Sequence, residues 1–294
     1  MKKSKIFLGI FFLLLSAFLY GIMPVMIRLL KVGGLPPITQ VFSRYIFAFI
    51  SALIYFLMTK SKLKIEKKDI FLLLLTTVFG YALTNLFFTY GIIYTSIGNA
   101  LFLFYIYGII TPIFGFFLLK ERFNKYNLIS LALSLVALFF LFQPNSFNTW
   151  KLGGFFAILS AVCQSLYFIS RRKLLAYSAS TMMILNTFVG IVVLGILSLI
   201  FERSFYNGII QTISPKTWIT TIIFGIDNFL AWLFMTKGFE LSKASTGSIV
   251  LLIENVFAII LAAIFLNEIP TYLTIIGGGL IILSSIIVIS KSEQ

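Results

Sequence analysis

From Ile6 to Ser290 the chain alternates long apolar blocks with short polar breaks. The blocks fall at about 6–30, 38–58, 69–92, 97–119, 126–142, 152–175, 181–201, 217–236, 244–266 and 270–290. Each is close to the ~20 residues a helix needs to cross a bilayer. The pattern predicts an all-α membrane protein with ten transmembrane helices. Pro24 and Pro112 fall inside blocks, where neighbouring helices can satisfy the carbonyls they free. The break from Thr149 to Gly154 is too short for a soluble domain. The first block follows Met1-Lys2-Lys3-Ser4-Lys5. It exceeds the ~7–15 residues of a signal-peptide core and lacks a small-x-small cleavage site, so it is expected to be a retained span.

Composition agrees. The 294 residues are 60% hydrophobic and 11% charged, against roughly 45–50% and 25% in soluble domains. A net charge of +14 would suit nucleic acid if it were clustered on one face, but the charges sit at block ends. With the N-terminus inside, 17 Lys and Arg lie on the cytoplasmic side: Lys2, Lys3, Lys5, Lys60, Lys62, Lys64, Lys67, Lys68, Lys120, Arg122, Lys125, Arg171, Arg172, Lys173, Lys237, Lys243 and Lys291. Four lie outside: Lys31, Lys151, Arg203 and Lys216. That asymmetry predicts both termini in the cytoplasm and a multi-pass protein of the inner (plasma) membrane. The lipid bilayer is the expected partner, not nucleic acid, and a homodimer is left open. Cys163 is the single cysteine, so no intrachain disulfide forms. The absence of His removes His-built zinc and haem sites and a His proton relay. No metal or cofactor is expected.

The halves of the chain repeat. "LGIFFLLLSA" (8–17) and "LGGFFAILSA" (152–161) match at seven of ten positions at an offset of 144, which also places Arg28 on Arg172. Further on, Thr89–Leu141 aligns without gaps to Thr236–Val288 at an offset of 147, pairing Gly91 with Gly238 and Glu121 with Glu268. Two halves, 1–145 and 146–294, therefore hold five spans each. Five is odd, so the second half enters the membrane in the opposite sense. Glu121 is expected at the cytoplasmic face and Glu268 at the outer face. Inverted repeats are characteristic of secondary transporters, with the substrate between halves that rock.

The chain resembles the drug/metabolite transporter superfamily, in its ten-helix EamA-type branch. Tyr20-Gly21 and Arg28 stand where that branch carries Trp-Gly and a following cation, and Arg44 with Ala48 matches its second helix. Glu121 and Glu268 match the Glu residues that end the fourth and ninth helices. "LIENVFA" is similar to the family's Leu-Glu-Pro-Val-Phe-Ala, and Gly108 and Asn255 stand at the two Pro positions. The resemblance implies export of a small metabolite by alternating access and fixes no substrate.

Intramembrane charge nominates the site. Arg28, Arg44, Asp227 and Glu254 lie within spans. Arg28 is near a helix end, where snorkelling is an adequate account. Gln40, Arg44, Ala48 and Ser51 share one helical stripe, as a cavity wall would. Asp227 and Glu254 lie near the centres of spans eight and nine; a charge at that depth costs roughly 2.5–3.5 kcal/mol on insertion scales. Two uncharged stripes add Thr77, Tyr81, Asn85, Thr89 and Ser160, Gln164, Tyr167, Arg171; these either line a polar pathway or tie helices together. The nominated substrate-binding residues are Arg44, Tyr81, Asn85, Gln164, Tyr167, Asp227 and Glu254. Glu254 and Asp227 are also the proton-coupling candidates. Arg44 suits a carboxylate and the two acids an amine, so the pair points to an amino acid or amine-like substrate. Gly277-Gly278-Gly279 reads as a close-packing surface.

Membrane enzymes fit poorly. There is no Gly-x-Gly-Asp, no His-Glu-x-x-His, no Asp-rich magnesium motif and no P-loop. The expected function is secondary transport of a small-molecule substrate, outward and proton-coupled. An uncoupled facilitator or exchanger and a lipid flippase stand as alternatives.

Overall fold

The computed structural model describes residues 3–95, 97–121, 125–142, 151–266 and 271–291. Glu268, with its expected place at the outer face, lies outside the described residues. These residues are helical, and among them nine segments are long and apolar enough to cross a membrane. A tenth, Lys125–Leu141, is apolar but shorter.

The spans are less uniform than the apolar blocks. The first is α1 (Lys3–Tyr20) and α2 (Met23–Val32), parted at Gly21–Ile22 just before Pro24. The second is α3 (Pro37–Met58). The third joins α4 (Ile70–Leu75) to α5 (Thr84–Tyr94) through a π-helical stretch, Thr76–Leu83. The fourth is α6 (Ile97–Phe104) followed by α7 (Tyr107–Leu119), and the fifth is α8 (Lys125–Phe142). In the second half come α9 (Lys151–Lys173), α10 (Ala179–Phe201), a short α11 (Arg203–Tyr206) and α12 (Pro215–Leu241). The ninth span is again two pieces, α13 (Ala244–Leu251) and α14 (Glu254–Leu266), and α15 (Tyr272–Lys291) closes the fold. The eighth span runs past its expected end at 236: Lys237 sets its ammonium over the rings of Phe12 and Tyr55, at 5.3 and 5.2 Å, and Glu240 is paired with Arg171.

The halves interleave. α1 packs on α12 and α9 on α5, which are counterparts under the repeat, while α3 packs on α10 and α8 on α15. Small residues let backbones approach. A Cβ on Gly80 would stand 3.0 Å from the Tyr167 backbone, and one on Gly225 would stand 2.6 Å from the Arg44 carbonyl. Of the three glycines at 277–279, Gly277 makes the close contact, against the Ala137 carbonyl; nothing lies within 4 Å of a Cβ at Gly279.

The repeat is visible in single hydrogen bonds. Ile106, Gly108 and Ile109 donate to Leu103, Tyr105 and Ile106, and 147 positions on Ile253, Asn255 and Val256 donate to Val250, Leu252 and Ile253. These three-residue turns break both helices at the same place. The breaks form with Gly108 and Asn255 at the positions where the resembled family carries Pro. Arg28 bonds the Thr95 carbonyl at 2.8 Å, and Arg172 bonds that of Phe239 at 3.3 Å. Each arginine thus meets free carbonyls at the end of the third helix of its own half, where a cation is favoured. Arg28 therefore has a structural partner beyond snorkelling.

Acidic clamps tie the helix ends. Glu121 accepts from the amides of Ala244 and Ser245 and from the Ser245 hydroxyl, at 3.0, 3.2 and 2.6 Å. Glu202 does the same for Ile38 and Thr39 at the start of α3, at 2.8 and 2.7 Å. Both place a carboxylate at a helix N-terminus, where unpaired amides and the helix dipole favour it.

Candidate functional site

Glu254 opens α14 directly after the break. It is 4% exposed and sits in the first turn of α14, where the helix dipole favours an anion. Its Oε1 accepts from the Tyr107 hydroxyl at 3.0 Å, and Tyr105 also bonds it. Tyr107 opens α7 after the other break and is the residue that the 147 offset places on Glu254. The equivalent positions of the two halves therefore touch, so the pseudo-twofold axis of the repeat passes between them. A second such pair is Tyr81, whose hydroxyl donates to Asn228 at 3.2 Å, again 147 positions apart.

A cavity of about 30 Å³ adjoins Glu254, room for one or two water molecules. Three nominated residues reach its wall: Glu254, Asn85 and Gln164. The rest of the wall is mostly aromatic and includes Tyr20, Tyr105, Tyr107, Phe168 and Trp232. Trp232 is wedged edge-on between Tyr81 and Tyr167, with centroids 4.4 and 4.7 Å away.

The other four nominated residues stand behind that wall. Arg44 is fully buried, donates to Asn85 Oδ1 at 2.9 Å and lies over the Phe224 ring at 4.4 Å. Asn85 in turn donates to the Tyr81 carbonyl at 3.1 Å. Tyr167 bonds Thr236 at 2.6 Å and accepts from Asn186 at 3.2 Å. Asp227 is buried within electrostatic reach of Arg44, yet the ion pairs found among the described residues are Lys68–Glu66 and Arg171–Glu240. Arg44 Nε and Nη1 and Asp227 Oδ2 have no hydrogen-bond partner. Gln40 and Ala48 are fully buried on the same stripe as Arg44.

The stripe on α9 divides. Ser160 bonds the Thr84 carbonyl at 2.8 Å, Tyr167 bonds Thr236, and Arg171 pairs with Glu240. These three tie helices together, while Gln164 faces the cavity. The residues that sequence reasoning missed are Tyr105, Tyr107 and Trp232. In a chain with 34 Phe an aromatic reads as packing. One signal was available for Tyr107: the repeat offset, carried to 254, points back to it.

Two inverted five-helix repeats, each with a broken helix and the breaks in contact, give the build of a secondary transporter. Residues 7–143 and 151–290 each match the EamA-like transporter family, and the chain belongs to that family. It is similar to an uncharacterized transporter of Clostridium kluyveri, with 26% identity over 97% of this chain and 94% of the relative. It is 24% identical to the pseudopaline exporter CntI of Pseudomonas aeruginosa over 95% and 94% of the two chains. Human solute carrier family 35 member G1 is 25% identical over 95% of this chain and 77% of its own. A solved crystal structure with 15% identity shares the fold, with a TM-score of 0.78 over 98% of both chains. The protein is thus a multi-pass membrane transporter of a small molecule.

Proposed function

We propose that the protein exports a small metabolite bearing an amine, amino acid or amine-like, across the inner membrane by alternating access, with Glu254 carrying a proton in the cycle. The halves 1–145 and 146–294 are the bodies that exchange access. Asp227 is the second proton candidate, and Arg44, Tyr81, Asn85, Gln164 and Tyr167 shape the site. The observation that carries this reading is the Tyr107–Glu254 contact. It puts the carboxyl next to the cavity, where a residue of one half touches its counterpart in the other. A change of access that parts the halves at this point breaks the Tyr107 contact, so the carboxyl changes its environment with the cycle. A carboxyl that is neutral in one access state and ionised in the other carries a proton across. The similarity to a named exporter supports the outward direction.

Glu254→Gln keeps shape and hydrogen bonding but cannot release a proton. In proteoliposomes, with a panel of labelled amino acids, amines and nucleotides, it should lose accumulation driven by a pH gradient. Counterflow without a gradient should survive if Glu254 only couples protons, and should fail if it also holds the amine. Wild-type accumulation by folded Glu254→Gln would reject both roles. Wild-type exchange indifferent to pH would favour the uncoupled exchanger. For orientation, Lys64→Cys and Asn148→Cys, each in Cys163→Ala, should label from opposite sides with an impermeant thiol reagent; labelling from one side rejects the ten-span, N-inside arrangement.

A further inference from the structure

We infer that the central site selects a monovalent organic cation with an apolar or aromatic body, and discriminates against the zwitterion and the acid of the same shape. The inference rests on the transport reading above and narrows its substrate class.

Among the described residues the cavity wall holds one ionisable acid, Glu254, and no Lys or Arg. The guanidinium that the sequence nominated for a substrate carboxylate does not line the cavity: Arg44 stands behind the wall, donating to Asn85 and lying over the Phe224 face. A carboxylate drawn into the cavity would meet no counter-charge in the wall and would face Glu254, and burying it unpaired is strongly unfavourable. A cation meets the opposite situation, since Glu254 is already there, held by Tyr105 and Tyr107.

The ring faces supply the second half of the recognition. Tyr20, Tyr105, Phe168 and Trp232 line the same cavity as the carboxyl, and aromatic rings attract ammonium groups through their quadrupoles. The box is pre-set. Trp232 is fixed by edge contacts to Tyr81, Tyr167 and Tyr20, the last at 6.2 Å. Phe168 is stacked on Phe239 at 4.2 Å. Gln164 is turned toward the Met235 thioether at 3.6 Å, and such a soft wall accepts an apolar body. At about 30 Å³ the site is narrow, so a ligand enters only as the halves part.

The test uses purified full-length protein in nanodiscs with three matched probes: phenethylamine, phenylalanine and 3-phenylpropionate. Equilibrium binding by calorimetry at pH 7 should favour the amine over the other two by at least about tenfold. Glu254→Gln should weaken the amine by a similar factor. Trp232→Phe, which keeps an aromatic ring in the wall, should weaken it by less. Phenylalanine or the acid binding as tightly as the amine overturns the inference, as does binding of none of the three. Counterflow of the same probes in proteoliposomes separates the two readings. Amine that binds without moving sinks the transport role of the site and leaves the selectivity standing. Phenylalanine that moves while the amine neither binds nor moves sinks the selectivity and leaves transport standing.

Discussion

The break between α6 and α7 and the break between α13 and α14 share one backbone and differ in chemistry. The turn hydrogen bonds donated by Ile106, Gly108 and Ile109 recur at Ile253, Asn255 and Val256, an offset of 147. Their side chains do not: Tyr107 faces Glu254, Gly108 answers to Asn255, and Pro112 to Ile259. Backbone geometry thus follows the inverted repeat, while the ionisable group has been placed in one half alone. Two identical halves could not achieve this. A residue on a twofold axis meets its own copy, which would give two carboxyls in contact or two tyrosines. Only a chain carrying both halves can set one acid against a neutral donor at that point.

The sharpest way to break the comparison is to make the halves alike there. Tyr107→Glu puts a second carboxyl against Glu254, where the present contact is 3.0 Å. Two buried like charges at that distance should destabilise the fold by on the order of 3 kcal/mol. Thermal unfolding in detergent should show the loss at pH 8 and recover much of it at pH 5, where one shared proton removes the repulsion. Exchanging the pair, Tyr107→Glu with Glu254→Tyr, should restore stability near the native value at both pH values. Failure of the exchange to restore it would show that the two breaks are not interchangeable surroundings for a carboxyl.

The end clamps give a milder contrast. Removing Glu121 by Glu121→Ala frees the amides of Ala244 and Ser245, and Glu202→Ala frees those of Ile38 and Thr39. Each should cost about 1–2 kcal/mol. Hydrogen exchange should quicken at the released helix start and leave the other unchanged. Spread of the effect to both starts would show that the clamps act as one unit.

The smallest effect belongs to Asn255→Pro. It removes the bonds that Asn255 makes to the Leu252 carbonyl through its amide and its side chain, at 3.1 and 2.9 Å. The position lies in the first turn of α14, where Pro is well tolerated. Stability should change by less than about 1 kcal/mol. A larger loss would mean that Asn255 holds this break in a way Gly108 does not hold the other.

The spans, their inverted repeat and the buried carboxyl were legible because bilayer length, duplicated spacing and an acid in an apolar run are each strong local signals; that the halves interleave was not. Arg44 and Asp227 were read as wall residues because a buried charge in a membrane helix draws attention wherever it points. Sequence does not say whether a side chain faces a cavity or a neighbouring helix, and Arg44 faces Asn85. The stripe Thr77, Tyr81, Asn85, Thr89 is buried as its spacing indicated. The π-helical turn under it carries no residue-type signature, so the bonds that the Thr84 hydroxyl donates to the Phe79 and Gly80 carbonyls were not foreseeable.

The setting of Trp232 makes the molecule its own optical gauge. Its indole is within 4.4 to 6.2 Å of three tyrosine rings, two of them, Tyr20 and Tyr81, from the other half. Light absorbed by those tyrosines is passed to the indole with an efficiency that falls steeply with separation and angle. Parting of the halves therefore dims tryptophan emission excited through tyrosine. With Trp150 and Trp218, the other two of the chain's three tryptophans, changed to Phe, comparing emission excited through tyrosine and indole together with emission excited at the indole alone reads the motion of an unlabelled protein.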